Sequence, residues 1–240
     1  MIPTAAPFSL PIDYPRIKVV SSFSELVSTP FADGVNALCW QRSLPGDFAE
    51  VVSALGPGDG MTTLDEDRLR ALNLSAAGRV AADILIADLA LLREQGLAPI
   101  LDCIHGYPRD DEAETVPTHV YSFHADSAPV EADTYLCTYA GAPSEGLPNE
   151  AARRRVDIAG TRAKLLQEYG GEDDADFQEY LRENCYDLHY AAEPHARPYS
   201  FGIGNLWRIA IQYPGSPVPP CIHRAPDTNA GEPPRLLLIS

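Results

Sequence analysis

Apolar positions recur along this chain in two rhythms, and the change comes after Gly96. In "SAAGRVAADILIADLALLREQG" (75–96), Val80, Ile84, Ala87 and Leu91 recur at steps of four, three and four, which predicts one apolar helix stripe. Ser75 suits an N-cap and Gly96 a C-terminal stop. Arg79, Asp83 and Arg93 fall off the stripe, so this helix is expected to lie on a sheet. Before it, "GVNALCWQRSL" (34–44) predicts a short strand and "DFAEVVSALG" (47–56) a short helix ending at Gly56. Residues 1–30 are punctuated by proline and are expected to pack along the outside.

After Gly96 the apolar runs shorten and fill with β-branched and aromatic residues. "APILDCIH" (98–105), "THVYSFHA" (118–125), "ADTYLCTYAG" (132–141), "YSFGIGNLWRIAIQY" (199–213), "PPCIHRA" (219–225) and "PRLLLIS" (234–240) are bounded by Pro, Gly or Asp and predict strands. Such a series predicts a sandwich or small barrel. Between the third and fourth strands, "NEAARRRVDIAGTRAKLLQEYG" (149–170) and "DADFQEYLRENC" (174–185) predict helices. The expected fold is mainly β with helices (α+β). A helical insertion over about 145–198 is expected to cover the open end of the barrel as a lid, more mobile than the strands.

The length and a 45% hydrophobic content suit one domain over 1–240. A formal charge of −16 repels phosphate backbones and anionic lipid, which argues against nucleic acid and membrane surfaces as partners. No apolar run reaches the roughly 18–20 residues of a membrane span, and no basic start with an apolar run marks a signal peptide. Cys39, Cys103, Cys137, Cys185 and Cys221 are odd in number and widely spaced, which fits a reducing cytoplasm better than a disulfide framework.

The candidate chemistry begins at "FHAD" (123–126). Six histidines and 34 acids give about one chance match to H-x-[DE] in a chain this long, so the pair means little alone. Side chains two apart on a strand share a face, so His124 and Asp126 can point to one spot. His223 lies in a second short strand. The turn-rich "APDTNAGEPP", centred near Asn229, then returns the chain so that Arg235 comes back to the level of His223. Two histidines and one carboxylate make a facial triad, the pattern associated with non-haem Fe(II), and leave positions open for a bidentate oxo-acid and dioxygen. The far carboxylate of such an acid calls for a fixed guanidinium, the role that Arg235 could fill.

The order H-x-D, distal His, then Arg in the last strand resembles the Fe(II)/2-oxoglutarate-dependent oxygenase superfamily. A closer likeness, to an uncharacterised bacterial family within it, is carried by "WQRSL" (40–44), "ADLALLREQG" (87–96), "FHAD", "LCTYAG" (136–141), "HRAP" (223–226) and "RLLLI" (235–239). The resemblance implies a double-stranded β-helix (jelly-roll, cupin-like) fold. It implies Fe(II) on His124, Asp126 and His223, and 2-oxoglutarate as co-substrate on Arg235. The expected reaction is oxidation of an unactivated C–H of a small polar molecule, an amino acid or natural-product intermediate, by hydroxylation, desaturation or ring closure. Substrate and dioxygen are the expected partners, with a homodimer compatible. Two alternatives stay open: a cupin-like metalloenzyme that does not use 2-oxoglutarate, and a non-catalytic metal-binding protein.

Other residues are more ambiguous. Thr138 and Tyr139 follow the H-x-D strand and line the pocket or belong to the core; Thr138 is placed with the co-substrate and Tyr139 with the substrate. Arg208, between Trp207 and Ile209, lines the site or forms a structural ion pair. His119 is expected on the strand face opposite His124. His105, His189 and His195 read as surface or lid residues, the last two touching substrate at most. Arg153, Arg154 and Arg155 with Arg162 and Lys164 read as a solvated helix face, a clamp for a substrate carboxylate being the minority reading.

Overall fold

A computed structural model describes residues 10–11, 14–107, 115–227 and 232–240. Strands β1 (Ile17–Val20), β2 (Ala37–Trp40), β3 (Met61–Thr63) and β4 (Ile100–Ile104) come first, with helices α1 (Phe23–Ser28), α2 (Phe48–Leu55), α3 (Glu66–Ala71) and α4 (Ala76–Glu94) among them. Then follow β5 (Phe123–His124), β6 (Asp133–Ala140), β7 (Glu145–Leu147) and β8 (Ala152–Arg154), and after them α5 (Ala159–Tyr169) and α6 (Ala175–Glu183). Strands β9 (His189–Ala192), β10 (Tyr199–Ser200), β11 (Leu206–Ala210), β12 (Ile222–Arg224) and β13 (Arg235–Ile239) complete the chain. The fold is mixed α+β. One sheet has seven strands in the order β1-β2-β11-β6-β13-β4-β3, the other six in the order β10-β7-β12-β5-β9-β8. Among the described residues no helix is long and apolar enough to cross a membrane. All five cysteines are free thiols.

Alternation along β6 builds the layers. Tyr135, Cys137 and Tyr139 join Leu38, Leu101, Leu236 and Leu238 in a core with Leu26, Val51, Leu69 and the buried side of α4. The helices therefore cover one face of the seven-stranded sheet. The intervening Leu136 joins Ala37, Cys39, Trp207 and Ile209 in a second core, with Tyr199 and Cys221 from the region of the six-stranded sheet. Each fully buried Leu, Ile or Phe here contributes about 1.5–3 kcal/mol.

Ser75 caps α4 as the sequence indicates, its hydroxyl accepting from the Gly78 amide, but the stripe runs one residue later than expected. The buried positions are Ala81, Leu85, Leu89 and Leu92, while Val80 is exposed. A buried acid, Asp88, also lies on that face and breaks its apolar signature. Asp88 pairs with Arg42 at 2.8 Å and accepts from the Tyr139 hydroxyl at 2.5 Å.

Residues 145–198 are not the continuous helical insertion expected. They supply β7, β8 and β9 to the six-stranded sheet, next to β5 and β12. In the stretch expected as one helix over 149–170, only Ala159–Tyr169 is α-helical, preceded by 3-10 turns and β8. Helices α5 and α6 pack through Leu165, Phe177 and Leu181 on Val116 and Val156. The expected strand 118–125 shrinks to Phe123–His124, because His119–Ser122 form a turn closed by the Ser122 amide on the His119 carbonyl. The turn centre at Asn229 lies outside the described residues, as do residues 1–9 of the segment expected along the outside.

Candidate metal centre

Antiparallel pairing sets a row of side chains across the six-stranded sheet. His189 stands opposite His124, His124 opposite His223, His223 opposite Gly146, and Gly146 opposite Tyr199. Directly opposed residues share a face, so the three imidazoles form one stripe. The His124 and His223 ring centroids are 4.6 Å apart, those of His124 and His189 5.7 Å. At the other end a Cβ on Gly146 would lie 2.2 Å from the Tyr199 ring, so only glycine lets that ring close over the strand beside His223.

Asp126 follows β5 in extended chain whose backbone is fixed from both sides. The Ala125 amide donates to the Leu188 carbonyl and the Gln212 amide to the Asp126 carbonyl. One ligand atom from each of His124, Asp126 and His223 lies within 4.8 Å of the others. His124 Nε2 is 3.9 Å from Asp126 Oδ1, and His223 Nε2 is 3.8 Å from Asp126 Oδ2. Ligands at about 2.1 Å from one ion and at right angles sit about 3 Å apart, so movements of about 1–2 Å close this set around a first-row ion. The donor set fits such an ion in a second respect. His124 Nδ1 donates to the Ser122 carbonyl at 2.7 Å, and His223 Nδ1 to the Cys221 carbonyl at 3.4 Å. A carbonyl can only accept, so Nδ1 holds the proton and Nε2 keeps its lone pair for a metal. The Thr134 hydroxyl holds Asp126 Oδ2 at 2.5 Å. Burial pushes the Asp126 carboxyl up, but His223, the Thr134 hydroxyl and His124 outweigh it and keep the group below its usual value.

Arg235 opens β13 and is 1% exposed. Its Nε donates to the Ala142 carbonyl at 2.8 Å, Nη1 to the Tyr107 hydroxyl at 3.0 Å and Nη2 to the Ser144 hydroxyl at 2.9 Å. Gly141, with φ of 77°, turns the chain toward Ala142; a Cβ there would meet the Pro234 carbonyl at 2.7 Å. No aspartate or glutamate among the described residues pairs with Arg235, and burial lowers its pKa against the opposing pull of Tyr107 and Tyr121. A guanidinium has five N–H donors, so one on Nη1 and one on Nη2 remain for a ligand. Tyr107 stands edge-on to Tyr121 at 5.6 Å and links this arginine to the segment that carries His124.

The other expected site residues separate. Thr138 is buried on the face of β6 that also carries Thr134, opposite Leu237, but Arg235 takes its partners elsewhere. Tyr139 points the other way, into the helix layer, where it stacks on Phe48 at 5.3 Å and bonds Asp88, so it does not line the metal cluster. Arg208 also leaves the site. It pairs with Asp133 at 2.6 Å, lies over Phe31, and donates to the Leu26, Val27 and Thr29 carbonyls at the end of α1. The structural ion pair is therefore the correct alternative for Arg208. His119 is exposed in the turn rather than on a strand face, and His195 is exposed. His189 is 5% exposed, not a surface residue. The sequence reading missed it because its place beside His124 comes from pairing across 65 positions of chain (124 to 189). Tyr107, Thr134 and Ser144 were missed for the same reason.

Burial lowers the pKa of both His124 and His189 to about 4; next in effect is His223 for His124, and His124 for His189. Both are neutral in the folded state from neutral pH to near 4, whereas the unfolded chain protonates them at about 6.5. Protons then favour the unfolded state, so stability falls as pH drops from about 6.5 to 4, by on the order of 3 kcal/mol per imidazole. Urea unfolding of metal-free protein at several pH values checks this; a midpoint that stays flat across that window contradicts the buried neutral pair. No protein-family model matches this chain, and no curated protein and no solved structure matches it either.

Proposed function

We propose that the protein is an Fe(II)- and 2-oxoglutarate-dependent oxygenase on a double-stranded β-helix, oxidising an unactivated C–H of a small polar molecule. The observation that carries this reading is a His–Asp–His cluster with free Nε2 lone pairs, in the same fold as a buried arginine that pairs with no carboxylate among the described residues. A buried guanidinium without an anion is costly, and a ligand carboxylate removes that cost. The two facing sheets, with β5 and β12 paired at the histidines, agree with a jelly roll.

In this reading His124, Asp126 and His223 hold the metal. Iron held there would activate dioxygen, which would take two electrons from 2-oxoglutarate as it becomes succinate and CO₂ and two from the substrate C–H bond. The chain's own residues orient the reactants. The Ser122 and Cys221 carbonyls fix the imidazole tautomers, and Thr134 fixes the carboxylate. Tyr107 and Ser144 hold the guanidinium plane so that its two remaining N–H groups meet the far carboxylate of 2-oxoglutarate.

Those same contacts from Tyr107 and Ser144 favour a second reading, in which Arg235 is structural and the site is that of a cupin-like metalloenzyme working without 2-oxoglutarate. Titration of 2-oxoglutarate into Fe(II)-loaded protein under nitrogen, followed by the weak visible charge-transfer band, decides. Arg235→Lys keeps the charge but loses the fork, and is expected to bind the co-substrate at least about tenfold more weakly. Arg235→Ala is expected to lose it while keeping Fe(II). Equal binding by wild type and Arg235→Ala, or no binding by either, selects the cupin-like reading.

A further inference from the structure

The run Arg153–Arg155 contains one arginine unlike its neighbours. Arg153 pairs with Glu193, Arg154 with Asp157, Arg162 with Asp173 and Arg182 with Glu179. Arg155 has no such partner among the described residues, and its Nε is buried with no hydrogen bond. The His189 Nδ1 is likewise buried with no hydrogen bond. The residues that carry these two nitrogens are neighbours. Strands β8 and β9 pair Ala152 with Ala192, Arg153 with Ala191 and Arg154 with Tyr190. Arg155 is the next residue after that ladder, and His189 is the next on the other strand. Beyond His189 the row continues to His124 and His223.

A buried polar nitrogen left unpaired is unfavourable, and a buried arginine nitrogen more so. Two of them on neighbouring residues, next to a metal-ligand set, describe a place for an acceptor that the chain does not provide. We propose that Arg155 and His189 form a carboxylate-binding subsite beside the His124–Asp126–His223 centre, and that the substrate is a small carboxylic acid held there. This rests on the oxygenase reading and names its substrate class. One guanidinium and one imidazole N–H, with the His189 proton on Nδ1, match the two oxygens of a carboxylate. A phosphate dianion would bring one more negative charge than a single guanidinium offsets, in a chain of net charge −16. Arg235 meets the co-substrate, so the two acids occupy separate cations. The position of His189, its ring 5.7 Å from that of His124, sets the anchored carboxylate at one end of the histidine row. The bond to be oxidised then lies toward His223.

The test uses full-length protein loaded with Mn(II) and saturated with 2-oxoglutarate under nitrogen. Carbon-13 relaxation of labelled propionate is compared with that of labelled propionamide, which has the same shape and no charge. Paramagnetic enhancement is expected to be at least about fivefold larger for propionate. It should fall to the propionamide level in Arg155→Met and persist in part in Arg155→Lys. Equal enhancement for acid and amide, or an unchanged effect in Arg155→Met, overturns the subsite. Phosphorus-31 relaxation of methylphosphonate in preference to propionate overturns the carboxylate assignment. Melting of Arg155→Met is the second readout: a ligand-binding arginine without internal partners gives an unchanged or higher melting temperature, and a clear drop marks a structural residue and overturns the subsite. If 2-oxoglutarate does not bind wild type, the oxygenase reading falls and the subsite with it. If it binds and propionate is not preferred, the subsite alone falls.

Discussion

If the proposed oxygenase reading holds, Asp126→Ala and His223→Ala are each expected to abolish Fe(II)-dependent conversion of 2-oxoglutarate to succinate, a loss of at least about 10³-fold. The expectation follows from the small number of donors. Three side chains offer ligand atoms to the cluster, so removing one leaves two residues to hold an ion against water and buffer. Thr134→Val is the graded control. It removes only the hydroxyl that orients Asp126 Oδ2, and should weaken metal affinity by about 10–100-fold. The metal-free variants should still fold, since neither Asp126 nor His223 belongs to the apolar clusters that hold the sheets. Metal content by elemental analysis and succinate by NMR read the result. Alanine variants that keep stoichiometric iron and wild-type turnover would sink the site assignment.

Asp88→Ala is expected to cost about 3–5 kcal/mol of stability with no effect on 2-oxoglutarate binding. Arg42 and Asp88 side chains are 7% and 5% exposed, and Arg42 also donates to the Gly204 carbonyl at 2.8 Å. Truncating the acid leaves a buried guanidinium without its counter-charge and takes away the acceptor of the Tyr139 hydroxyl. The pair itself is a different matter. Replacing both members, as in Arg42→Met with Asp88→Leu, should recover most of the loss, because apolar groups of similar size carry no desolvation cost. Urea unfolding measures both. A single-variant cost below about 1 kcal/mol would show that water reaches Arg42. The network lies on the helix-covered face of the seven-stranded sheet, away from Asp126, so co-substrate affinity separates it from the site.

The sequence made the ends of α4 readable and its facing unreadable. Ser75 and Gly96 announce local backbone events, which depend on neighbours only. Which stripe is buried depended on Asp88 finding Arg42 and Tyr139, far away in sequence. The core strands β6, β11 and β13 were legible because they are dense in β-branched, aromatic and leucine side chains. Strands β7, β8 and β9 are short and half polar, and exist through pairing with one another and with β5 and β12. That is why 145–198 read as a helical insertion. His124, Asp126, His223 and Arg235 were recognisable as a spacing pattern. His189 and Arg155 stood there only within groups, as a lid residue and as part of a basic run with a carboxylate clamp as its minority reading, because what singles them out is one buried nitrogen each without a hydrogen bond in the folded chain.

Strand β13 has a consequence for how the chain assembles. It lies between β6 and β4 and bonds to both along its length. Without residues 235–239 the sheet order divides into two parts, β1-β2-β11-β6 and β4-β3, and β6 and β4 each lose the partner for a row of amide and carbonyl groups. Exposed edges of this kind recruit other chains, and their closure waits on contacts distant in sequence. A nascent or truncated chain without β13 is therefore a candidate for edge-to-edge aggregation and a client for chaperones, rather than a slightly weakened version of the protein. Arg235 rides on the same strand. The strand that joins the two halves of the sheet also carries the buried guanidinium, so a molecule in which β13 is not docked also lacks this cation in place.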